Sequence, residues 1–286
     1  VSLAVLLLFA ALGELMAEHA GTLNISVEAM MLAGAYASGA TAHIAGGAVA
    51  GVAAGVAAGA AVAFVQANLS HRAKLDQFVV GLVLVILVQG ITSFLIGATN
   101  LTNVPNAGNV RIPGLASIPV VGGALFSEPW PFYAIYLLVP AVAWGLYRTR
   151  WGLEVRACGE NPRAARVSGV NVGRRRRSAI YLCGILSGFA GAFLTTGIVG
   201  AVSNDMTAGA GYIAIAAVLL GGWSVRGTVV ACAVFGAVEG AAVALPSLGV
   251  TVNSQLLNAA PYLVVLALIP LIAQRRSQPA ALGLPA

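Results

Sequence analysis

What most constrains this chain is the recurrence of apolar runs close to the roughly 20 residues that a helix needs to cross a bilayer, separated by short breaks of Gly, Pro, Asn and charge. The runs fall near 1–17, 23–40, 44–65, 78–98, 130–147, 179–201, 209–222, 228–245 and 259–273, nine in all. Only 8% of the 286 residues are Asp, Glu, Lys or Arg, against about 25% in soluble domains. That is too little charge to coat a water-soluble globule of this size. The expected fold class is all-α, a polytopic helical membrane protein with about nine spans, forming a single transmembrane domain over 1–286. The 35 glycines show no triplet period, so a collagen-like chain is excluded.

The few charges predict orientation, because Lys and Arg of short loops stay cytoplasmic. Arg72 and Lys74 share one loop, nine arginines lie between Arg148 and Arg177, Arg226 sits in a short turn, and Arg275 and Arg276 follow the last run. With nine alternating spans, 14 of the 15 basic residues share one face and only Arg111 falls on the other. The pattern predicts a cytoplasmic loop near 148–178, an external loop near 99–129, a cytoplasmic C-terminus and Val1 outside. The net charge of +6 then reads as a topology signal. No aromatic-interleaved basic patch points to nucleic acid. An external start at Val1 lacks the basic region that a cleaved signal carries, which leaves two expectations, a GUG-type start read literally or a further helix upstream, with the second favoured.

Three features inside the runs suggest how the helices work. Gly47, Gly51, Gly55 and Gly59 recur every four residues and form one smooth ridge suited to close helix packing. Gly184 with Gly188, and Gly236 with Gly240, repeat the spacing. Between the first two runs, a polar stretch carries Asn24, Ser26 and Glu28. Such breaks line substrate paths in transporters, although Asn24 or Ser26 could equally cap the helix that follows. The second half has a comparable break with Asn204, Asp205 and Thr207 before a short run. The two breaks have opposite expected orientation, which suggests two weakly related inverted halves with broken helices. Glu239 is the clearest ionisable residue in a span interior, and such residues face a cavity or a bundle partner.

Other chemistry finds little support. Cys158, Cys183 and Cys232 have no metal or pairing spacing, and His19, His43 and His71 are scattered. No metal site is expected. No nucleophile stands near a base, so an enzyme is the weakest reading. A secondary transporter coupled to protons through Glu28, Asp205 or Glu239 stays open, as do a passive pore and a membrane scaffold.

The basic loop carries the strongest motif, GENPRAARVSGVNV from Gly159 to Val172, followed by four arginines. Asn161 can cap, Pro162 suits a first helical turn, Ala164 and Ala165 continue a short helix and Gly169 can end it. A solvated connector would explain the spacing as well as a partner-binding helix does. The segment resembles the cytoplasmic coupling segment of bacterial ABC-importer permeases of the branched-chain amino acid, ribose and nucleoside superfamily. Upstream, GTLNISVEAMMLAGAYAS resembles the LN(I/L)GVEGMM signature of the nucleoside and simple-sugar branch, and NDMTAGAGYIAIAAVLLGGWSVRGT resembles its later block. Ser26 and Ala29 stand where that branch usually has Gly, and with about ten helices usual in the family the resemblance implies a further first helix upstream of Val1.

The resemblance implies a permease subunit with no chemistry or bound cofactor of its own, in a bacterial inner membrane, carrying a nucleoside or related simple sugar. It implies a cytoplasmic ATPase that uses ATP and Mg²⁺, a second permease subunit, with a heterodimer favoured, and an extracytoplasmic binding protein. Glu160, Asn161, Pro162, Arg163, Ala164, Ala165 and Gly169 would form the ATPase-coupling helix. The sequence supports the division of labour independently: a Walker A loop needs Gly-Lys-Ser/Thr, whereas the single lysine, Lys74, follows Ala73.

Overall fold

A computed structural model describes residues 1–99, 101, 103–113, 122–245, 263–264 and 278–283. Its elements are α1 (Ser2–His19), α2 (Val27–Ala45), α3 (Ala48–His71), α4 (Gln77–Ala98), β1 (Asn109–Arg111), α5 (Gly122–Phe126), β2 (Ser127–Pro129), α6 (Ala134–Arg148), α7 (Arg150–Glu160), α8 (Pro162–Val167), α9 (Val172–Phe193), α10 (Ala210–Leu220) and α11 (Val225–Ala244). A 3-10 turn over Trp130–Tyr133 leads into α6, and a π-helical turn over Leu194–Val199 prolongs α9.

The first eight expected runs coincide with helices, whereas the ninth, 259–273, lies almost wholly outside the described residues. Among the described residues six helical stretches are long and apolar enough to cross a membrane; α2 is long enough but not among them, and α10, at 11 residues, is too short. The expected external loop holds a small antiparallel ribbon, with Asn109 opposite Pro129 and Arg111 opposite Ser127. Tyr133 ties it down by donating its hydroxyl to Val110 O at 2.7 Å.

α1 is the central element. Apart from Glu14 and Glu18 it is apolar on all sides, the pattern of a helix enclosed by others, and Val5–Glu18 are all buried. It packs against α6, α7, α9, α10 and α11. Ser2 at its start donates to Glu128 of the ribbon at 3.0 Å, and His19 at its end reaches Trp223 O at 3.0 Å. α1 therefore runs from the ribbon to the arginine-rich end of the bundle.

The second axis is α9, against which α2 and α3 pack closely. A Cβ on Gly59 would lie 2.4 Å from Gly184 O, one on Gly188 would lie 2.5 Å from Gly55 O, and one on Gly191 would lie 2.0 Å from Met31 O. Gly51 meets Ser38 and Ala42 in the same way. The expected ridge is thus Gly51, Gly55 and Gly59. Gly47 is the exception: it is the N-cap of α3 and nothing described lies within 4 Å of its would-be Cβ, because the helix starts beyond the crossing. Gly236 packs on Ala4, while Gly240 faces open space among the described residues.

Both breaks start helices in mid-bundle. Asn24 lies beside Cys183, at 3.3 Å, which is 11 residues (183 − 172) into α9. At a rise of about 1.5 Å per residue this is about 17 Å along a rod of about 42 Å. From there α2 climbs parallel to α9, with Thr195 Oγ1 donating to Ala35 O at 2.9 Å. α10 begins at the same depth, since a Cβ on Gly211 would lie 2.7 Å from Glu28 Cα. It then runs the opposite way, to Trp223 beside His19. Two helices that start at the same mid-bundle depth and run in opposite directions thus meet N-terminus to N-terminus.

Candidate translocation site

Glu28, in the first turn of α2, joins the two helix starts. Its Oε1 accepts from Thr207 Oγ1 at 2.5 Å and from Gly209 N at 3.1 Å, and its Oε2 accepts from Gly211 N at 2.7 Å. The first amides of a helix have no partner inside it, and the positive end of its dipole favours an anion. Glu28 supplies that anion to α10 from another element while sitting at the start of its own helix. It is 4% exposed, so the arrangement replaces hydration with fixed donors.

The loop entering α10 takes an unusual path to present those donors. Asp205, Ala208 and Gly209 all have positive φ, of 52°, 45° and 79°. Only glycine adopts that region freely, and holding a non-glycine residue there costs on the order of 1–3 kcal/mol. The three bonds to Glu28, with Ala208 N donating to Asp205 O at 2.9 Å, hold the loop. Beside it lies a cavity of about 300 Å³ lined by Glu28, Ala29, Leu32, Val85, Gln89, Asp205, Ala208, Gly209 and Tyr212. Its size is at the lower end for small-molecule sites. Ala29, one of the two departures from the branch signature, borders it.

The sequence-predicted path residues divide. Glu28 and Asp205 line the cavity, and Thr207 stands behind it, bonded to Glu28. Asn204 is exposed on the same loop but is not part of the cavity wall. Glu239 is half-buried on α11, apart from this site. Asn24 and Ser26 are fully buried. Ser26 occupies the N-cap position of α2 but caps nothing, because its hydroxyl donates to Asn24 Oδ1 at 2.7 Å. The capping alternative for Asn24 or Ser26 therefore fails: Asn24 instead donates Nδ2 to Glu14 Oε2 at 3.1 Å.

Glu14 escaped the sequence reading. It lies in the first apolar run, is 0% exposed, and its Oε1 has no partner among the described residues. Glu18, one turn on, accepts from Trp223 Nε1 at 2.5 Å. Two glutamates four residues apart in or just beyond an apolar run are a visible signal, since intramembrane carboxylates are rarely incidental. Glu14, not Glu239, is the most enclosed of them.

At the arginine-rich end, Asn161 caps α8 by accepting from Ala164 N at 3.0 Å, with Pro162 in the first turn. Gly169, at φ 83°, follows the helix end. Glu160 differs from expectation: it closes α7 instead of opening α8, because Asn161 breaks the helix between them. Ala164, Arg163 and Arg166 are exposed, and Val167 is 91% exposed. Ala165 is buried and packs with Cys158 and Val172. Burial pushes the Cys158 thiol above its ordinary range.

This loop is locked to the first break. A Cβ on Gly159 would lie 2.2 Å from His19 O. Arg176, fully buried, donates Nε to Ala20 O at 3.0 Å and Nη2 to Ala281 O at 3.5 Å. Ala281 N donates to Gly159 O at 2.8 Å, and Gly283 N to Gly21 O at 3.2 Å. Glu154 pairs with Arg175. Movement of α7 and α8 would therefore bear directly on residues 19–23, and through them on α2 and Glu28.

The family profile described as branched-chain amino acid transport system / permease component matches residues 1–273. The chain is 32% identical to a protein of Haloferax volcanii provisionally named a glucose ABC transporter permease, over 94% of this chain and 88% of the relative. It is 29% identical to a nucleoside ABC transporter permease of Lactococcus lactis, over 97% and 92%. It is 30% identical to a guanosine ABC transporter permease of Bacillus subtilis, over 98% and 92%. No solved structure matches it.

Proposed function

The chain belongs to the family of permease components of branched-chain amino acid transport systems, and from that premise we propose that it is the membrane subunit of an ATP-driven importer for a nucleoside or a related simple sugar. The observation that carries this is the meeting of two helix N-termini at Glu28, at mid-depth in the bundle, beside a cavity with both polar and apolar walls. Discontinuous helices of opposite direction around a mid-membrane site are the architecture of alternating access. The nucleoside and sugar names of the relatives support the substrate class.

The arginine-rich end is the cytoplasmic face of a bacterial inner membrane, as the bias of basic loops requires. There α8 docks on a cytoplasmic ATPase that uses ATP and Mg²⁺, and this chain binds no cofactor itself. Val167 and Ala164 offer a small apolar contact flanked by Arg163 and Arg166. A second permease subunit, preferably a different chain, completes the path, membrane lipid surrounds both, and an external binding protein delivers the solute. The test separates the faces of α8. Ala164→Glu, on the exposed face, is expected to leave the protein inserted but uncouple ATP hydrolysis from uptake. Unchanged transport refutes the coupling role.

A second reading, a proton-coupled carrier, draws on the buried Glu14 and Glu18 of α1. Uptake that persists without an ATPase and collapses with a protonophore would favour it.

A further inference from the structure

Two carboxylates border the mid-bundle cavity, and they are not equivalent. Glu28 has both oxygens engaged by Thr207, Gly209 and Gly211 and is 4% exposed, so it organises the wall and has little surface left for a solute. Asp205 is exposed, and its carboxylate makes no hydrogen bond among the described residues. It projects from a backbone at φ 52°, in the loop that Glu28 holds. An unpaired acceptor on a strained loop beside a cavity is a candidate for a ligand contact. Across the cavity, α4 contributes the exposed side chain of Gln89 and α10 contributes Tyr212, while Ala29, Leu32 and Val85 supply the apolar wall.

We propose that Asp205 recognises the adjacent hydroxyls at carbons 2 and 3 of a ribose ring in the permeating solute, with Gln89 and Tyr212 bordering that ring. The proposal rests on the importer reading above and names what its site reads. An ionised carboxylate is an acceptor only, with two oxygens, and can receive two hydroxyl hydrogens at once. A carboxylate receiving a ribose hydroxyl is an established solution to recognising that ring. The exposed aspartate disfavours an anionic solute, so phosphorylated sugars are excluded. The aliphatic wall and the aromatic ring suit the C–H face of an uncharged ring, and the Gln89 amide can both donate and accept. One carboxylate and one amide make a weak site, as a solute that must leave again requires. Ribose of this kind occurs free or within a nucleoside, and the two sources are separated by the assay.

Uptake is measured with the complete importer, its ATPase, companion permease and binding protein held constant, for guanosine against 2′-deoxyguanosine and for ribose against 2-deoxyribose. Each second compound lacks one hydroxyl of the pair. The binding protein's own preference cancels when the ratio in a variant is divided by the ratio in the wild type. Asp205→Ala is expected to lower uptake of the hydroxylated compound about tenfold, in line with loss of hydrogen bonds to a charged group, and to change the deoxy compound little. Asp205→Asn, which keeps the size of the side chain, is expected to shift the ratio in the same direction, with both variants normalised to the amount inserted. Which pair is carried identifies the source. Equal loss for both members of a pair overturns the proposal, as does a wild-type importer that carries glucose but neither pair; both outcomes leave the importer reading standing. If the complete importer shows no ATP-dependent uptake of any of these solutes, the importer reading fails with it.

Discussion

Replacing Glu28 tests the central feature of the site. In Glu28→Ala the hydroxyl of Thr207 and the amides of Gly209 and Gly211 lose their acceptor at once. A buried donor left unpaired costs about 1–3 kcal/mol, so three such losses, partly relieved as the loop moves to water, sum to about 3–5 kcal/mol. At about 1.4 kcal/mol per tenfold, the open-loop population rises by at least 100-fold. In Glu28→Gln the carbonyl can stay where Oε1 was, keeping Thr207 and Gly209, while the new NH₂ group faces the Gly211 amide donor to donor. That variant should lose about 1–3 kcal/mol. The assay is amide hydrogen exchange in a segment spanning 205–213, where the Gly209 and Gly211 amides report the bonds directly. The expected order of protection is wild type, then Gln, then Ala, with uptake falling in the same order. Protection of both amides in Glu28→Ala within a factor of three of wild type would refute the reasoning, since their acceptor would then have to be something else.

Two further perturbations probe the frame around the site. Gly188→Ala sets a Cβ 2.5 Å from Gly55 O and Gly59→Val one 2.4 Å from Gly184 O, both backbone atoms that cannot turn aside. Each should cost at least about 1–3 kcal/mol and lower the thermal midpoint in detergent, whereas Gly47→Ala and Gly240→Ala should change it little. For Cys158, burial raises the thiol, and the thiolate is the reactive form. Maleimide labelling should therefore be slower than for a free cysteine at neutral pH and should rise with pH through a midpoint above the free-thiol value. Fast labelling at pH 7 would contradict the packing of Cys158 against Ala165 and Val172.

The ladder of apolar runs was readable because burial in lipid is a property of composition over about 20 residues, and eight runs became helices, several of them with ends some residues away from those expected. The coupling segment was readable for a local reason: Asn161 accepts from an amide three residues on, so cap, Pro162 and Gly169 specify α8 without the rest of the fold. The same locality put Glu160 on the wrong side of the break, since the residue before a cap can end one helix or begin the next. The glycine ridge was right in spacing for Gly51, Gly55 and Gly59 and one step too long at Gly47, because periodicity does not say where two helices cross.

Tertiary structure alone decided which polar residues meet. Asn24 and Ser26 looked like Glu28 in sequence, yet they bond inward to Glu14 and to each other while Glu28 reaches residues near position 209. Glu14 became prominent only once α1 proved to be enclosed on every side. Gln89 carried no motif and Tyr212 was not singled out within its block, and both reached the cavity because α4 and α10 border the start of α2. The physical reason is one of range. Partition into lipid, capping and turn chemistry act over a few residues to one span, and the sequence by itself determines them. A carboxylate held by donors some 180 residues away depends on how α2 and α10 are set against α9, which only the packing of the whole bundle decides.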